Sequence, residues 1–360
     1  MRVFSKIVVG IIIVTAGAVL AVMTSDRLQE RLVSRALHQS IMHQQTQSAL
    51  FGGDNLDVVF CGTASPMGNA DRAQQCIAVL AGDQFFIVDS GARSTANVVA
   101  ASLPVGRLNG VLLTHFHSDH ISSLGELHLA SWVRGRDGPL AVYGGAGVSQ
   151  VVDGFNLAYG LDYGYRTAHH GEEFVPSKNA GLVAREFALS DREMTVIHDA
   201  GGLVISAFAV PHEPVSPALG YRFDYGGRSI VMSGDTSASE MVQRAADGAD
   251  VLIHEVLQPN LVRILSMTLR ETGQDKLGQI IDDTLDYHTF PQDAAKIAQA
   301  AGADMLVFTH FAPPPASRLV ERFYTRDIDK DFIQPVLAED GLWLRLPVGS
   351  DDIEMENLID

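Results

Sequence analysis

The fold of this chain is decided by one stretch, Thr114-His115-Phe116-His117-Ser118-Asp119-His120, which directly follows the apolar run Gly110–Leu113. Four side chains that can bind a metal lie within six residues, where a strand is expected to end and a helix to begin. Alternate residues of an extended chain point to the same side, so His115 and His117 can reach one ion. The aspartate and the last histidine lie at the turn into the helix and point at a neighbouring position. This density of ligands predicts a metal site.

Two metal ions need more than four ligands, so further residues must come from other strand ends. His212, Asp235 and His310 each follow an apolar, β-rich run. Taken alone, His212 is more often structural, and Asp235 is more often a helix N-cap. All three nevertheless lie at strand ends, where a sheet can assemble a site. We therefore predict one cluster of metal-binding residues: His115, His117, Asp119, His120, His212, Asp235 and His310.

The chain around the cluster predicts a layered α/β domain. Short β-rich runs alternate with helical segments and Gly/Pro/Asp turns, as expected for a mixed sheet with attached helices. We predict a catalytic domain over residues 54–348, with lid insertions at 150–173 and 257–287. An acidic tail at 349–360 follows the domain.

Several motifs carry a resemblance beyond the histidine cluster. The chain resembles the metallo-β-lactamase superfamily, and within it the ribonuclease Z-like and arylsulfatase-like branch. This resemblance implies an αββα four-layer sandwich. The remaining matching motifs are Gly62-Thr63-Ala64-Ser65-Pro66, Val88-Asp89-Ser90-Gly91, His212 with Gly220-Tyr221, Gly234-Asp235-Thr236, His254-Glu255, Tyr287-His288-Thr289 and Thr309-His310-Phe311.

The resemblance implies how the ligands are shared between two zinc ions. One ion would be held by His115, His117 and His212. The other would be held by Asp119, His120 and His310, with Asp235 bridging the two. Zinc suits this set of nitrogen and oxygen ligands, although iron or manganese could occupy it. Asp89 resembles the family's buried aspartate, which orients the metal loop (residues 114–120) without binding metal.

The resemblance also implies a hydrolytic mechanism. Two ions can share a water, lower its pKa, and stabilise negative charge that develops on the substrate. Asp119 would double as the base that positions this water. His288 and Glu255 resemble a pair that gives the leaving group its proton, since a carboxylate keeps an imidazole protonated. The alternative is that His288 and Glu255 form a structural polar pair.

The substrate is less well defined than the chemistry. We expect a small-molecule phosphodiester or aryl sulfate ester, with the arginines of Trp132–Arg136 as an anion contact or as surface charges. A periplasmic lactonase or β-lactamase-like hydrolase is the alternative. A third reading is a binding or scaffold protein on a retired hydrolase fold. The net charge is −17 and no basic cluster is visible, so we expect no nucleic acid substrate. A homodimer is left open.

The N-terminus predicts export. Arg2 and Lys6 precede an apolar run, Ile7–Met23, which at 17 residues is near the short limit of a membrane span of about 20. Residues 1–24 therefore predict an uncleaved anchor or a signal peptide. Residues 25–53 would form a stalk. The catalytic domain would face the periplasm, anchored to the inner membrane or, after cleavage, free.

The chain has two cysteines, Cys61 and Cys76. Two cysteines cannot form a cysteine-rich zinc site, so histidines and carboxylates must bind the metal. Each cysteine is either a buried small apolar residue or one half of a disulfide.

Overall fold

A computed structural model describes residues 22–359, except for Gly52, Gly68, Ala70, Asp191 and Arg192. The chain divides into two compact units, Met1–Leu50 and Phe51–Asp360. The described part of the first unit contains helix α1 (Asp26–Ser48), in which no residue is buried.

The predicted anchor or signal segment, residues 1–24, lies almost entirely outside the described residues. Within the described part of the chain, no helix combines the length and the apolar character needed to cross a membrane. Export and membrane attachment therefore stay predictions from the sequence.

The second unit is built on two sheets. The first has eight strands in the order β15-β14-β1-β2-β3-β4-β5-β6. Its strands are β1 (Asn55–Gly62), β2 (Cys76–Ala81), β3 (Gln84–Val88), β4 (Gly110–Leu112), β5 (Leu140–Gly144), β6 (Leu182–Glu186), β14 (Leu342–Pro347) and β15 (Glu354–Asn357). From β3 to β6 neighbouring strands are parallel, whereas the other pairs of this sheet are antiparallel.

The second sheet has seven strands in the order β13-β12-β11-β10-β9-β8-β7. They are β7 (Thr195–Ala200), β8 (Leu203–Ala209), β9 (Leu219–Tyr225), β10 (Arg228–Met232), β11 (Val251–Leu257), β12 (Met305–Ala312) and β13 (Val336–Leu337). Strands β10 to β13 are parallel. The carboxyl ends of parallel strands meet at one edge of a sheet, which is where open α/β sheets bind ligands.

Helices cover the outer face of each sheet. In chain order they are α2 (Ser94–Ala100), α3 (Ser118–Ile121), α4 (Leu124–Trp132), α5 (Val148–His170), α6 (Glu240–Ala245), α7 (Pro259–Glu271), α8 (Asp275–Asp283), α9 (Pro291–Ala301) and α10 (Arg318–Thr325). Short 3-10 turns at Val105–Arg107, Ser177–Asn179 and Thr284–Asp286 complete the connections.

Strand β1 shows why two layers of core form. Alternate side chains of a strand point to opposite faces of the sheet. Val58 and Phe60 pack in the apolar cluster shared by the two sheets, with Ile205 and Phe223 of the second sheet. Val59, next along the chain, packs in the cluster between the first sheet and its helices. A third cluster joins the second sheet to α6, α9 and α10, so the predicted αββα sandwich is confirmed.

The two predicted insertions have different positions. Residues 150–173 mostly belong to α5, which packs on β5 and β6 and lines no part of the cavity beside the metal-binding cluster described below. Tyr159 of α5 approaches α4 so closely that a Cβ on Gly125 would lie 2.2 Å from its ring. Residues 257–287 contain α7 and α8, and Thr284 and Tyr287 near their end line that cavity. Part of the acidic tail forms β15, which pairs with β14.

The two cysteines form a disulfide between β1 and β2, at the point where Gly62 pairs with Cys76. The bond closes a loop over residues 62–75, because Cys61 and Cys76 are 15 residues apart. Ser65, Pro66 and Met67 of this loop line the same cavity. The disulfide therefore constrains one wall of the cavity.

We expect the double variant Cys61→Ala/Cys76→Ala to be less stable by about 3 kcal/mol, since a cross-link of this loop length removes entropy from the unfolded chain. Chemical denaturation of the oxidised wild type and of the double variant measures the difference in the free energy of unfolding. Reducing the wild-type protein is the control that leaves both side chains in place, and it should lower stability by a similar amount. Equal stability of oxidised and reduced wild type would contradict the prediction.

Candidate metal centre

The structure brings all seven predicted ligands to one edge of the sandwich. His115 and His117 follow β4, and Asp119 and His120 lie on α3. His212 follows β8, Asp235 follows β10, and His310 lies on β12. The first sheet thus supplies four residues and the second sheet supplies three.

A bulge in β12 aims His310 at the cluster. Glu255 of β11 pairs with Thr309 and the next residue of β11 pairs with Phe311, so His310 has no partner in the register. Its φ angle is 46°, in the left-handed region that a non-glycine residue rarely occupies. A bulge turns one side chain away from the regular alternation. The backbone is strained where the side chain has to point into the site.

The carboxylate of Asp235 lies at the centre of the cluster. Its Oδ2 atom is 3.3 Å from Nε2 of His120 and 3.4 Å from Nε2 of His310. The same atom lies 3.9 Å from Nε2 of both His115 and His212. One oxygen atom therefore faces histidines from both predicted ligand sets, as a bridging ligand would.

The two predicted ligand sets are compact. The ligand atoms of His115, His117 and His212 lie within 4.8 Å of one another, and so do those of Asp119, His120 and His310. Further groups of the same compactness join His115 and His120 with Asp235, and Asp235 and His310 with His288.

The donor atoms fit a metal. Nε2 of His120 and Nε2 of His212 are buried and have no hydrogen-bond partner in the described structure. Buried polar atoms are normally paired, so these nitrogens need a partner from outside the chain. Imidazole nitrogens and carboxylate oxygens suit zinc, iron or manganese. The assignment of individual ligands to individual ions stays a prediction.

The metal loop is held by the buried carboxylate of Asp89. Its Oδ1 accepts a hydrogen bond from the backbone N–H of Thr114 at 2.9 Å, and its Oδ2 accepts one from the Thr114 hydroxyl at 2.8 Å. The Oδ2 atom also lies 2.8 Å from Nδ1 of His120. A hydrogen bond at Nδ1 fixes the orientation of an imidazole and leaves its Nε2 free to bind a metal. Asp89 has the position that its predicted orienting role requires.

Glycines in two of the motifs permit close approach of the backbone. A Cβ on Gly91 would lie 2.1 Å from the carbonyl oxygen of Asp119. A Cβ on Gly234 would lie 2.1 Å from the carbonyl oxygen of Leu219, and Gly234 has a φ of 61°. Gly91 contacts the segment that carries Asp119, and Gly234 directly precedes Asp235. A larger residue at either position would collide with the backbone beside a predicted ligand.

The local electrostatics favour charged carboxylates. Burial alone would raise the pKa of Asp235, but the nearby His310 and His120 hold it well below its usual range. Burial also opposes the charge of Asp119, and His120 together with His310 lowers the pKa of that carboxyl. Both aspartates are therefore ionised at neutral pH, the form in which a carboxylate binds metal.

The predicted proton donor lies beside this cluster. Nδ1 of His288 is 3.2 Å from Oε2 of Glu255, and both side chains are almost fully buried. Glu255 is fixed by its other oxygen, which accepts the backbone N–H groups of Thr289 at 2.8 Å and Thr236 at 3.4 Å. Burial acts against protonation of His288, yet the Glu255 carboxylate raises the pKa of its imidazole. The adjacent His254 is fully buried, and its Nδ1 lies 2.7 Å from the backbone carbonyl oxygen of Glu255. These contacts are those of a structural residue.

A cavity of about 220 Å3 opens beside the cluster. Asp119, Asp235, His288 and His310 line part of it. Among the described residues, no lysine or arginine lines this cavity. Positive charge in this cavity must therefore come from a protonated histidine or from bound metal.

One predicted anion contact and the first predicted insertion lie away from the cavity. Arg136 is buried and donates to the backbone carbonyls of Gly138 and Asn179, so it is not an anion contact of the cavity. Tyr163 of the first insertion packs against His128. Tyr287, at the end of the second predicted insertion, does line the cavity. Met67 also lines it and was not predicted, because an apolar wall carries no local sequence signal.

The family model described as the beta-lactamase superfamily domain matches residues 88–311, which is more than half of the chain. The chain belongs to the metallo-β-lactamase superfamily. Ribonuclease Z of Mycobacterium bovis is 34% identical over 261 residues, which cover 72% of this chain and 86% of the relative. Ribonuclease Z of Mycobacterium marinum is 33% identical, with 72% and 87% covered. These relatives place the metallo-β-lactamase chain in the ribonuclease Z-like branch.

Solved structures agree on the metallo-β-lactamase fold. The short form of human tRNase Z has a TM-score of 0.59 at 21% identity, covering 81% of this chain and 99% of its own. A metallo-beta-lactamase fold protein from Bacillus subtilis has a TM-score of 0.57 at 20% identity, covering 81% and 100%. Family and relatives together define a metal-dependent hydrolase of the phosphodiesterase type.

The expectation of a small-molecule ester with no nucleic acid substrate is wrong, because the relatives that share a third of the sequence are ribonucleases. That expectation rested on the net charge of −17. A net charge averages over the whole surface, whereas a phosphate in the site meets a local field. Bound metal ions are the largest charges in such a site, and the sequence count does not include them.

We expect Asp89→Asn to weaken zinc binding about ten- to a hundredfold, since the amide orients Thr114 and His120 less well than the carboxylate. Zinc titration of metal-free protein by calorimetry measures the change. Asp57→Asn is the matched control, because Asp57 is equally buried but accepts a hydrogen bond from Trp343 instead. Native zinc affinity in a folded Asp89→Asn protein would contradict the role assigned to Asp89.

Proposed function

We propose that this protein is a zinc-dependent phosphodiesterase that hydrolyses RNA, with His288 as the acid for the leaving group. The observation that carries the proposal is the His288–Glu255 pair at 3.2 Å, placed on the wall of a cavity that also contains Asp119 and Asp235. The ribonuclease Z relatives support RNA as the substrate class.

Two zinc ions would be held by the two compact sets. His115, His117 and His212 would hold one ion, whereas Asp119, His120 and His310 would hold the other. Asp235 would help to hold both ions, since its Oδ2 atom faces histidines of both sets. When bound, the zinc ions activate water for attack at phosphorus and offset the negative charge on the non-bridging oxygens.

The protein residues position the water and move the protons. Asp119 accepts a hydrogen bond from the attacking water, which orients it toward phosphorus, and takes up the proton that the water loses. The oxygen of the water bonds to phosphorus, and the bond between phosphorus and the leaving oxygen breaks. His288 gives its proton to that oxygen as the bond breaks.

Glu255 positions His288 for this transfer. Its carboxylate faces Nδ1 of the imidazole, so Nε2 is the nitrogen left to reach the substrate. The Glu255 carboxylate raises the pKa of the His288 imidazole, which favours the protonated form that an acid needs. The hydrogen bonds from Thr289 and Thr236 hold the carboxylate in place, and the pair therefore need not reorganise during the reaction.

The test of the proposed function uses the full-length protein stripped of metal with a chelator and then reloaded with zinc. We expect it to cleave a single-stranded RNA and a bis-aryl phosphodiester, and to lose both activities in Asp235→Ala and after chelation. An aryl sulfate, a lactone and a chromogenic β-lactam are assayed beside them. Turnover of these compounds without phosphodiester turnover would overturn the proposal.

We expect His288→Ala to lower kcat on RNA about 10²- to 10⁴-fold, because a poor leaving group needs its proton. The same change should cost far less on a nitrophenyl phosphodiester, whose leaving group departs as an anion. Steady-state kinetics on both substrates measure the contrast. His198→Ala removes a histidine outside the cavity and serves as the control. Equal losses on both substrates would show that His288 is not the acid.

A further inference from the structure

The cavity has a second, apolar part that the metal chemistry does not use. Pro66 and Met67 line it from the disulfide-closed loop, Ala312 lines it from β12, and Tyr287 lines it just before the predicted acid. These groups lie on the same cavity as the predicted acid His288, so a substrate in the cavity can contact them.

The ring of Tyr287 is held in one orientation. It lies 5.1 Å from the ring of His212, nearly perpendicular to it, and 4.8 Å from the ring of His288. The carbonyl oxygen of Tyr287 lies 3.0 Å from Nδ1 of His212, which ties its backbone to the cluster as well. An aromatic ring fixed in this way is preorganised to contact a second flat ring at little cost in conformational entropy.

Met67 completes the apolar part. Its side chain is half-buried and packs against a small core cluster that contains Ala312 and Leu257. The thioether is flexible and polarisable, and it makes favourable contacts with aromatic rings. A flat ring between Tyr287 and Met67 would be contacted by apolar groups at two points.

The position of Tyr287 indicates which part of the substrate it meets. Its ring packs against His288, the residue assigned to protonate the leaving oxygen. A group attached to the leaving oxygen would therefore come close to Tyr287. In an RNA, that group is the nucleoside on the leaving side of the scissile phosphate.

We infer that Tyr287 and Met67 form a stacking subsite for the base of the leaving nucleoside. The inference rests on the proposed RNA phosphodiesterase function and adds a specificity determinant to it. Base stacking on an aromatic side chain is tolerant of base identity, since every base has a flat face. The subsite would detect that a base is present, and would not select one base sequence.

The kinetic test uses two RNA substrates that differ at one position, where the leaving nucleoside has either its base or an abasic ribose. For the zinc-loaded wild type we expect kcat/KM to fall about ten- to a hundredfold on the abasic RNA, the range found for the loss of one stacked base. Tyr287→Ala should cleave the two RNAs at similar rates, and Tyr287→Phe should keep most of the wild-type preference.

Tyr287 also touches His212, so its substitution can disturb the metal centre. Such a disturbance lowers the activity on both RNAs equally, and only loss of the preference between them supports the subsite. Tyr165→Ala is the matched control, because Tyr165 is an exposed tyrosine of α5 that does not line the cavity. Met67→Ala should reduce the preference, whereas Met67→Leu should retain it. Equal cleavage of both RNAs by wild type would overturn the inference.

A binding measurement separates this inference from the proposed function. An oligonucleotide ending in a fluorescent base analogue, equivalent to the leaving product, is titrated with zinc-loaded protein and with Tyr287→Ala. Quenching by wild type that Tyr287→Ala lacks supports the subsite even if no phosphodiester is cleaved. Cleavage of RNA without any quenching difference leaves the proposed function standing and removes the subsite.

Discussion

The metal loop depends on one buried carboxylate. Asp89 receives the backbone N–H and the hydroxyl of Thr114 and faces Nδ1 of His120, so three groups of the loop converge on two oxygen atoms. A buried carboxylate is costly unless it is fully hydrogen-bonded, and these contacts to the loop hold Nε2 of His120 toward Asp235. The aspartate and the loop thus fix each other. The ligands from the second sheet face a loop whose shape is fixed by contacts within the first sheet.

The local part of this site was readable from the sequence. Four ligands within six residues identify the metal loop without any long-range information, and alternation along an extended chain explains why His115 and His117 share one side. His212, Asp235 and His310 were weaker signals, since each residue type has an ordinary structural role. Their order along the chain and the family resemblance brought them into the cluster, and the geometry places their donor atoms together.

Other features depend on contacts that no local pattern encodes. The disulfide follows from the register of β1 against β2, which a count of two cysteines does not determine. The bulge at His310 follows from the pairing of β11 and β12. The expectation about nucleic acid failed for a related reason. It used the net charge of the whole chain to judge the electric field in the site. Charges far from the site are screened by salt, so that field depends mainly on the groups nearby.

The ligands come from both sheets, and this links the metal content of the protein to its folding. Each predicted ion would join residues that follow strands of the first sheet to residues that follow strands of the second. Unfolding separates the sheets and disperses the ligands of both sites, so a metal held there would bind the native state in preference to the unfolded chain. A ligand present at a hundred times its dissociation constant adds about 2.7 kcal/mol to native stability by mass action. If zinc is the bound metal, its free concentration would therefore contribute to how much of the protein is folded.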